Sequence, residues 1–522
     1  MRVRFPLALA ALLALALPLA GCDSDGDDDP MVPDFDPATV DYDTITSLSY
    51  AEFVQPLLAA RDVFDGAPTD FDALFASDAG AFLIPFDADG SILFRVIDAG
   101  ASVDGLNTGA LEADEVAYLR RWVDDGARGP DGQTPYADVR EYALVCNQLD
   151  AKVSVIDIRR GRVIRTLDLT DLGLDPQAAP HDVESEPDGS AWYVALINEN
   201  SVVKFSTDLD AIGQGSPALL DQTPGPANAF TKPGMLTLGM DGTATEGLLF
   251  AGRSFSDMTG SDSFAIIERA TMEYDEEGVV PYTRPHAIAQ VGDFVLSASL
   301  SENTVASIDI VDSMTPTPTL ADVLTLGSGP DELVMFDVRP DGQEAVLTSA
   351  QSSEVFLLDV SDPTNLGIDA IVPVGAGPWH PTYSPDSGTL YVPNRDANSI
   401  SVIDVATQTV TKTITDPALA QPHGSAITAD GRFLVVSSRN TMGGYTPEFP
   451  FPKSTTAAPE TDAEGRVMAS STDLCGVSAA EAARSSVAGS PGTVVIVDTQ
   501  TNAVVHVIEI GRFASGVEVV NR

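Results

Sequence analysis

Four of the five histidines recur at one position of a repeating sequence pattern. Each stands at the start of a predicted strand, and the four are Pro180-His181, Pro285-His286, Trp379-His380 and Pro422-His423. Counted back from the next turn, three share one register and His380 comes one position later. Imidazole nitrogens are common ligands of copper and zinc. If the strand starts converge in the fold, these side chains predict a copper or zinc site.

The same histidines also have a structural interpretation. Pro-His can be the turn chemistry of the repeat, with each imidazole bonded to the backbone of the neighbouring unit. Imidazoles spaced one per unit around a ring would also lie too far apart to share one ion. The fifth histidine, His506, stands in a predicted outer strand and is interpreted as structural.

Three arginines form a second group of candidates. Arg253, Arg395 and Arg439 begin loops that we expect on the same side of the fold as the histidines, and Asp331 occupies a position similar to those of the histidines. Together with the histidines, the arginines predict a cationic mouth suited to a small anionic ligand. The alternative is that each arginine pairs with a nearby Asp or Glu and serves the loop alone.

The repeat that positions these residues is clearest over residues 388–414. Its β-branched and aromatic runs at 389–392, 400–405 and 409–414 have strand length and are separated by Asn and Asp turn formers. A fourth short strand is predicted at 378–384. Four antiparallel strands with a period of roughly 40 to 50 residues indicate a propeller blade.

The number of blades follows from counting strands. Runs equivalent to 400–405 begin at residues 153, 202, 264, 305, 355, 400 and 494. Only six complete first strands accompany these seven third strands. The array opens at a second strand, 142–147, and ends with an orphan run at 514–520 that is typical of a first strand. Pairing the two would remove both sheet edges. We therefore predict an all-β, seven-bladed propeller over residues 138–522.

The stretch LYVPNRDANSISVIDVATQTV resembles the YVTN family of β-propeller repeats of bacterial and archaeal surface proteins. The resemblance extends over the whole predicted propeller and implies its fold. The same superfamily includes lactonases, haem d-type nitrite reductases and copper enzymes. A reaction therefore does not follow from the fold.

The N-terminus has the pattern of a secretion signal. Residues 1–22 hold two arginines, a short apolar run and the sequence Leu19-Ala20-Gly21-Cys22, which resembles the bacterial lipoprotein cleavage box. The resemblance implies lipidation of Cys22, with the acidic residues 23–38 as a tether. We expect a membrane-anchored protein on the periplasmic or cell-surface side. An ordinary secretory signal with a chance cysteine is the alternative.

Residues 39–132 do not follow the repeat and are mainly helical by their pattern. The runs VQPLLAAR, PFDADGSILFRVID and LEADEVAYLRRWVDDGA resemble, in order and spacing, small c-type cytochrome domains of the bacterial envelope. Where that family carries its haem-attaching C-x-x-C-H, this chain has Asp62-Val63-Phe64-Asp65-Gly66. Covalent haem is therefore excluded. The resemblance implies a spacer or docking module, and an unrelated helical domain is the alternative.

Charge and cysteines limit the partners. The chain has 77 acidic and 28 basic residues, a formal charge of −49, which disfavours binding to nucleic acid.

A long insertion, residues 440–491, interrupts the last blade and contains Cys475. Blade closure would bring it near Cys146, so a disulfide between the two is predicted, pinning the insertion.

Two functions remain in view. The first is non-catalytic and is favoured: a lipid-anchored envelope propeller whose loop face binds a protein or a small anionic ligand. The second is an envelope metalloenzyme, either a copper oxidoreductase or a lactonase, that uses the four histidines. The sequence has no Ser-His-Asp arrangement or phosphate-binding loop that would support a particular reaction.

Overall fold

The computed structural model describes residues 35–223, 230–254, 260–310, 318–327, 332–451 and 490–522. A small helical domain precedes a seven-bladed β-propeller. Over these residues, no helix has both the length and the apolar character needed to span a bilayer. Cys22, Asp331 and Cys475 lie outside the described residues, so lipidation and the disulfide stay predictions.

The helical domain has four α-helices whose ends are set by local side chains. They are α1 (Gln55–Arg61), α2 (Phe71–Ala76), α3 (Ile92–Ala99) and α4 (Ala113–Asp124). The Asp70 carboxylate accepts the Ala73 N–H at 3.1 Å and caps α2. Glu112 and Glu115 form a reciprocal capping box at the start of α4. These caps account for where α2 and α4 begin.

Aromatic rings fill the core of this domain. The Tyr50 ring lies 5.1 Å from Phe71 and 5.6 Å from Trp122, centroid to centroid. Val63 and Phe64, which stand where a c-type cytochrome attaches haem, are buried in the same core. Such packing holds the short helices together through apolar contact. The domain's likeness to cytochromes stays a prediction.

Each blade is a sheet of four antiparallel strands. Blades 1 to 4 are built from β1 (Glu141–Asn147), β2 (Lys152–Asp157) and β3 (Arg162–Asp168); β4 (Pro180–Ser185), β5 (Ala191–Leu196), β6 (Ser201–Ser206) and β7 (Leu219–Gln222); β8 (Pro233–Leu238), β9 (Leu248–Arg253), β10 (Asp262–Glu268) and β11 (Tyr274–Val280); and β12 (Pro285–Val291), β13 (Phe294–Ser299), β14 (Thr304–Asp309) and β15 (Thr319–Thr325).

Blades 5 to 7 follow the same order. They contain β16 (Leu333–Val338), β17 (Glu344–Ser349), β18 (Glu354–Asp359) and β19 (Gly367–Pro373); β20 (Thr382–Tyr383), β21 (Thr389–Asn394), β22 (Ser399–Asp404) and β23 (Thr409–Thr415); and β24 (Pro422–Ile427), β25 (Phe433–Ser438), β26 (Gly492–Asp498) and β27 (Ala503–Ile510). The last strand is β28 (Ala514–Asn521).

The ring closes as predicted. Strand β28 pairs antiparallel with β1, with Tyr142 opposite Val520 and Leu144 opposite Glu518, so it becomes the innermost strand of blade 1. The first and last segments of the propeller thus share one sheet. This pairing confirms seven blades and removes the open edge of β1.

Blade 6 differs from its prediction at its inner strand. The expected strand at 378–384 is reduced to β20, with Pro378 in a separate bridge to Asn394. The reason lies in the backbone of His380, whose N–H donates to the His423 carbonyl of blade 7 at 3.2 Å. That bond leads the chain out of its own ladder and towards the neighbouring blade.

The helical domain packs on the outer side of blade 1. Arg165 of β3 is fully buried, and its guanidinium donates to the carbonyls of Leu209 and Pro135 and to Asp210. Arg162 donates to the Ser77 carbonyl at the end of α2 at 2.8 Å. Because a buried guanidinium must keep its donors bonded, the bond from Arg162 to Ser77 fixes the orientation of the helical domain, whereas Arg165 ties the linker at Pro135 to blade 2.

Candidate ligand site at the channel mouth

Seven residues at equivalent positions of the blades line the start of the central channel. We call them the inner ring, and they are His181, Gly234, His286, Val334, Trp379, His423 and Ser515. Each lies two residues after a residue with left-handed backbone, φ between 48° and 64°. The sequence therefore places three histidines and one tryptophan in a single register, with His380 directly after the tryptophan.

The left-handed residues are held by hydrogen bonds. Ahead of His181 and His423 they are Ala179 and Gln421, and their carbonyls accept the N–H groups of Ile197 and Arg439. The equivalent bond occurs in all seven blades. Left-handed backbone is costly for residues other than glycine and persists where surrounding contacts impose it. Here the bond turns the start of each inner strand towards the axis.

The donors of these bonds form an outer ring directly after the second strands. Its members are Gln148, Ile197, Ser254, Leu300, Ala350, Arg395 and Arg439. Ile197, Leu300 and Ala350 belong to one apolar cluster with Trp379 and Phe513, drawn from several blades. Blades 2, 4 and 5 thus contribute apolar side chains to the mouth. Blades 6, 7 and 1 contribute Arg395, Arg439 and Gln148.

The structure brings the four predicted histidines together. Ring centroids lie 5.7 Å apart for His181 and His286, 5.9 Å for His181 and His423, and 4.4 Å for His380 and His423. His181 reaches rings two blades away on either side because Gly234 and Ser515 between them are small. The rings form a chain across the channel.

The ligands of a metal ion direct their donor atoms to one point, whereas histidine rings arranged in a row do not. Among the described residues, no group of three or more His, Cys, Asp or Glu side chains is placed to hold a metal ion. The His286 Nδ1 lies 2.8 Å from the Val334 carbonyl of the next blade. This contact with neighbouring backbone is the structural alternative to metal binding. Copper or zinc stays a prediction that metal analysis can test.

Burial keeps two of these imidazoles neutral. The pKa of His380 and the pKa of His423 are both held well below the usual value, first by desolvation and then by the neighbouring histidines and Arg439. A neutral imidazole has one donor and one acceptor nitrogen. The mouth therefore offers both kinds of hydrogen bond at neutral pH.

Two of the three predicted arginines meet at the mouth. The Arg395 and Arg439 guanidinium carbons lie 4.2 Å and 5.5 Å from the Trp379 ring centroid, and Arg439 also lies 4.2 Å from that of Phe513. Arg395 pairs with the exposed carboxylate of Asp396 at 2.8 Å. The 2% exposure of Arg439 puts its charge inside the protein. The predicted cationic mouth thus consists of these two residues.

Arg253 does not take part. It is the last residue of β9, one position ahead of the outer ring, where Ser254 stands. Its guanidinium pairs with Asp262 at 3.1 Å and covers the Phe230 ring at 4.3 Å. Arg253 therefore pairs with a local acidic residue, which is the alternative to a role in the cationic mouth.

Several buried polar atoms at the arginine side of the mouth have no partner within the described ranges. They are the amide nitrogen and oxygen of Gln148, Trp379 Nε1, His380 Nε2 and both ring nitrogens of His423. A buried polar atom without a hydrogen bond costs about 1–3 kcal/mol. Leaving all of these unpaired would consume much of a protein's stability, so the cluster indicates a site for water or a ligand.

A layer of carboxyl groups lies deeper in the channel. Burial, which is the largest cause, raises the pKa of Asp182, Asp337 and Glu518 to about 7. The pKa of Glu184 is also raised, first by burial and then by the neighbouring Glu518 carboxylate. Asp182 and Asp337 accept the backbone N–H groups of Leu236 and Tyr383 in the next blades at 2.8 and 2.6 Å. Near neutral pH a fraction of these carboxyl groups is therefore protonated.

Sequence reasoning missed Gln148, Trp379 and the carboxyl layer. Gln148 is a single polar residue in a turn, and Trp379 was interpreted only as a neighbour of His380. Trp379 is in register with the histidines when counted from the left-handed residue of each blade, a position that the structure shows and no residue type marks in the sequence. Cys146, the predicted disulfide partner of Cys475, is fully buried in β1.

Several known proteins are similar to this chain. The "Uncharacterized protein YncE" of Salmonella typhi is 32% identical over 96 residues, which is 18% of this chain and 26% of that protein. The chain thus spans about a quarter of the length of that relative. A protein of unknown function from Desulfotomaculum acetoxidans is 12% identical over 73% of this chain and 99% of its own, with a TM-score of 0.49.

Another solved structure is apo AztD from Citrobacter koseri. It is 12% identical over 73% of this chain and 98% of its own, with a TM-score of 0.45. The family model described as "Lactonase, 7-bladed beta-propeller" matches residues 243–509. Since that match covers just over half of the sequence, and its seven blades are those of the structure, the chain belongs to the seven-bladed β-propeller lactonase family.

Proposed function

We propose that the protein is an envelope propeller that binds a small oxyanion, such as a carboxylate or phosphate, at its channel mouth. The observation that carries the proposal is the concentration of unpartnered buried polar atoms beside Arg439. A ligand there would supply the hydrogen bonds that the protein leaves unmade.

The chemistry of the mouth favours a ligand rich in acceptor oxygens. Trp379 Nε1 and the guanidinium of Arg439 can only donate, and Gln148 donates through its Nε2. Planar guanidinium groups suit carboxylate and phosphate. The formal charge of −49 makes most of the protein repel anions. The buried guanidinium of Arg439 beside an aromatic ring is a positive site where an anion can bind.

Replacement of Gln148 by methionine separates binding from folding. The variant removes two unpartnered polar atoms, so we expect the ligand-free protein to become more stable by about 1–2 kcal/mol. We also expect the thermal shift produced by an oxyanion to be lost. The measurement is the melting temperature with and without millimolar inorganic phosphate, acetate, gluconate or glucono-δ-lactone.

The exposed Arg159, at the far end of its blade, provides the control as Arg159→Met. That variant should respond to oxyanions as the wild type does. The proposal is wrong if none of the oxyanions raises the melting temperature of the wild-type protein. It is also wrong if Gln148→Met keeps the full shift.

Lactone hydrolysis at the same mouth is the second candidate. The family name raises it, and the neutral imidazoles of His380 and His423 favour it, since a neutral imidazole can take a proton from water as it attacks a carbonyl. Arg439 would then stabilise the developing oxyanion. Acid release from glucono-δ-lactone that is faster with the protein than in buffer alone would favour this candidate over binding alone.

Anchoring at the membrane is proposed from the cleavage box alone. We expect the mature protein to begin at Cys22 with lipid on its thiol. Cys22→Ala should move the protein from the membrane pellet to the soluble fraction after cell lysis, with the propeller's melting temperature unchanged. A soluble wild-type protein would contradict the proposal.

A further inference from the structure

The described root of the blade 7 insertion lies along the surface between the helical domain and blade 7. We call residues 440–451 the strap; it contains the sequence Tyr-Thr-Pro-Glu-Phe-Pro-Phe and follows directly after Arg439 of the outer ring. Most of it has no regular secondary structure, and its two prolines favour an extended chain. Contacts at both ends hold it.

Blade 7 holds the strap through one buried carboxylate. Glu509 of β27 has 5% side-chain exposure and accepts hydrogen bonds from the Tyr445 hydroxyl at 3.2 Å and from the Glu448 N–H. Within the strap, Asn440 accepts the Tyr445 N–H at 3.0 Å, and it also donates to the Pro491 carbonyl at 3.1 Å, just before β26 of blade 7. The strap is thus bonded along its length to the blade from which it departs.

The helical domain covers the other side of the strap. Arg95 of α3 donates from Nε to the Pro450 carbonyl at 2.7 Å, and its guanidinium carbon lies 5.1 Å from the centre of the Phe451 ring. Its Nη2 faces Glu509 at 3.7 Å. The Phe82 ring meets Phe449 edge-on at 6.2 Å. The strap therefore lies between blade 7 and the helical domain, and both contact it.

At its other end the strap joins the channel mouth. The side-chain oxygen of Gln421 accepts the N–H groups of Thr441 at 2.7 Å and Met442 at 3.0 Å. Gln421 is also the left-handed residue two positions before His423, and its carbonyl accepts the Arg439 N–H. One residue thus connects the strap to the inner ring and to the outer ring.

We propose that the helical domain is a clamp for the strap, and that the clamp sets the position of Arg439 and His423 in the channel mouth. Release of Arg95 or Phe82 from the strap would loosen the bonds to Gln421. Oxyanion affinity would then fall although no clamp residue touches the ligand. The statement about affinity rests on the proposed function, whereas the clamp itself does not.

Hydrogen exchange on the full chain tests the clamp without any ligand. In Arg95→Met and in Phe449→Ala, we expect the amides of Thr441, Met442 and Glu448 to exchange about tenfold faster, the effect of losing about 1.4 kcal/mol of local stability. Arg120→Met is the control, because Arg120 pairs with Asp89 and Asp98 of the same domain. It should leave all three amides at the wild-type rate.

The outcomes separate the two proposals. Faster exchange at Glu448 with unchanged rates at Thr441 and Met442 would overturn the clamp, since the strap would then be released without effect on the mouth. Unchanged rates at all three amides would also overturn it. With phosphate as the probe, weaker binding in Arg95→Met supports the coupling to the mouth, and unchanged binding refutes it. A wild type that binds no oxyanion refutes the proposed function alone.

Discussion

A chain that ends before the closing strand, lacking residues 514–522, is expected to lose cooperative unfolding and to aggregate. Strand β28 is the inner strand of blade 1, with Ala514 and Val520 fully buried and Val517 nearly so. The burial of β28 and its hydrogen-bond ladder to β1 together contribute on the order of 10 kcal/mol to the free energy of unfolding. That is comparable to the whole stability of an ordinary domain, about 5–15 kcal/mol.

The open ring would also expose β1 as a long apolar edge. Its residues from Tyr142 to Asn147 are all buried in the closed ring. An unpaired edge of this kind recruits other chains. Circular dichroism during heating and light scattering at room temperature measure the two consequences.

Two controls make this prediction specific. Deletion of Arg522 alone leaves β28 intact and removes only its bonds to the Arg140 and Thr207 carbonyls, so it should lower the melting temperature far less than the truncation does. A synthetic peptide of residues 512–522, added to the truncated chain, should restore a cooperative transition. If the truncated chain melts at the wild-type temperature without peptide, β28 does not close the ring.

Most of the fold could be predicted from local patterns. Third strands recur once per blade, five of the seven ending in Asp, and the count of strands left one first strand for the C-terminus, which β28 confirms. Such patterns are visible because strand alternation and turn chemistry are encoded within a few residues. The shortened β20 was not predictable, because a hydrogen bond from His380 to another blade causes it.

The candidate site was predictable only in part. The histidines were found because Pro-His repeats in sequence, but their mutual distances depend on the small side chains of Gly234 and Ser515 in blades between them. Arg253 was misplaced by one residue, since the outer ring begins after the second strand and not at its end. An acidic residue in an alternating strand, such as Glu518, looks solvent-facing until ring closure turns it into the channel.

Acidification from about pH 8 to about pH 6.5 is expected to stabilise the protein, despite its many surface carboxylates. The pKa of Asp182, Asp337 and Glu518 is raised to about 7 in the folded state. In the unfolded chain these groups ionise near pH 4. The folded state thus binds more protons between these values, and its stability falls as pH rises through 7.

Each such carboxyl changes stability by about 1.4 kcal/mol per pH unit while it is protonated only in the folded state. The histidines act in the opposite sense at lower pH. The pKa of His380 and of His423 is depressed in the folded state, so below the ordinary value of about 6.5 the unfolded chain takes up protons that the folded one does not. The carboxyl effect should therefore be seen most clearly between about pH 6.5 and pH 8.

Asp337→Asn and Glu518→Gln test the assignment through the midpoint of urea unfolding at several pH values. Each amide oxygen can still accept the bond from the Tyr383 N–H or the Ser185 hydroxyl. Each variant should be more stable than the wild type at pH 8 and show a shallower pH dependence below it. Asp369→Asn, on the exposed outer strand of blade 5, should follow the wild-type curve. A wild-type midpoint that falls from pH 8 to pH 6.5 would mean that the channel carboxyls are ionised and stabilised by partners. The channel would then be a place that attracts cations.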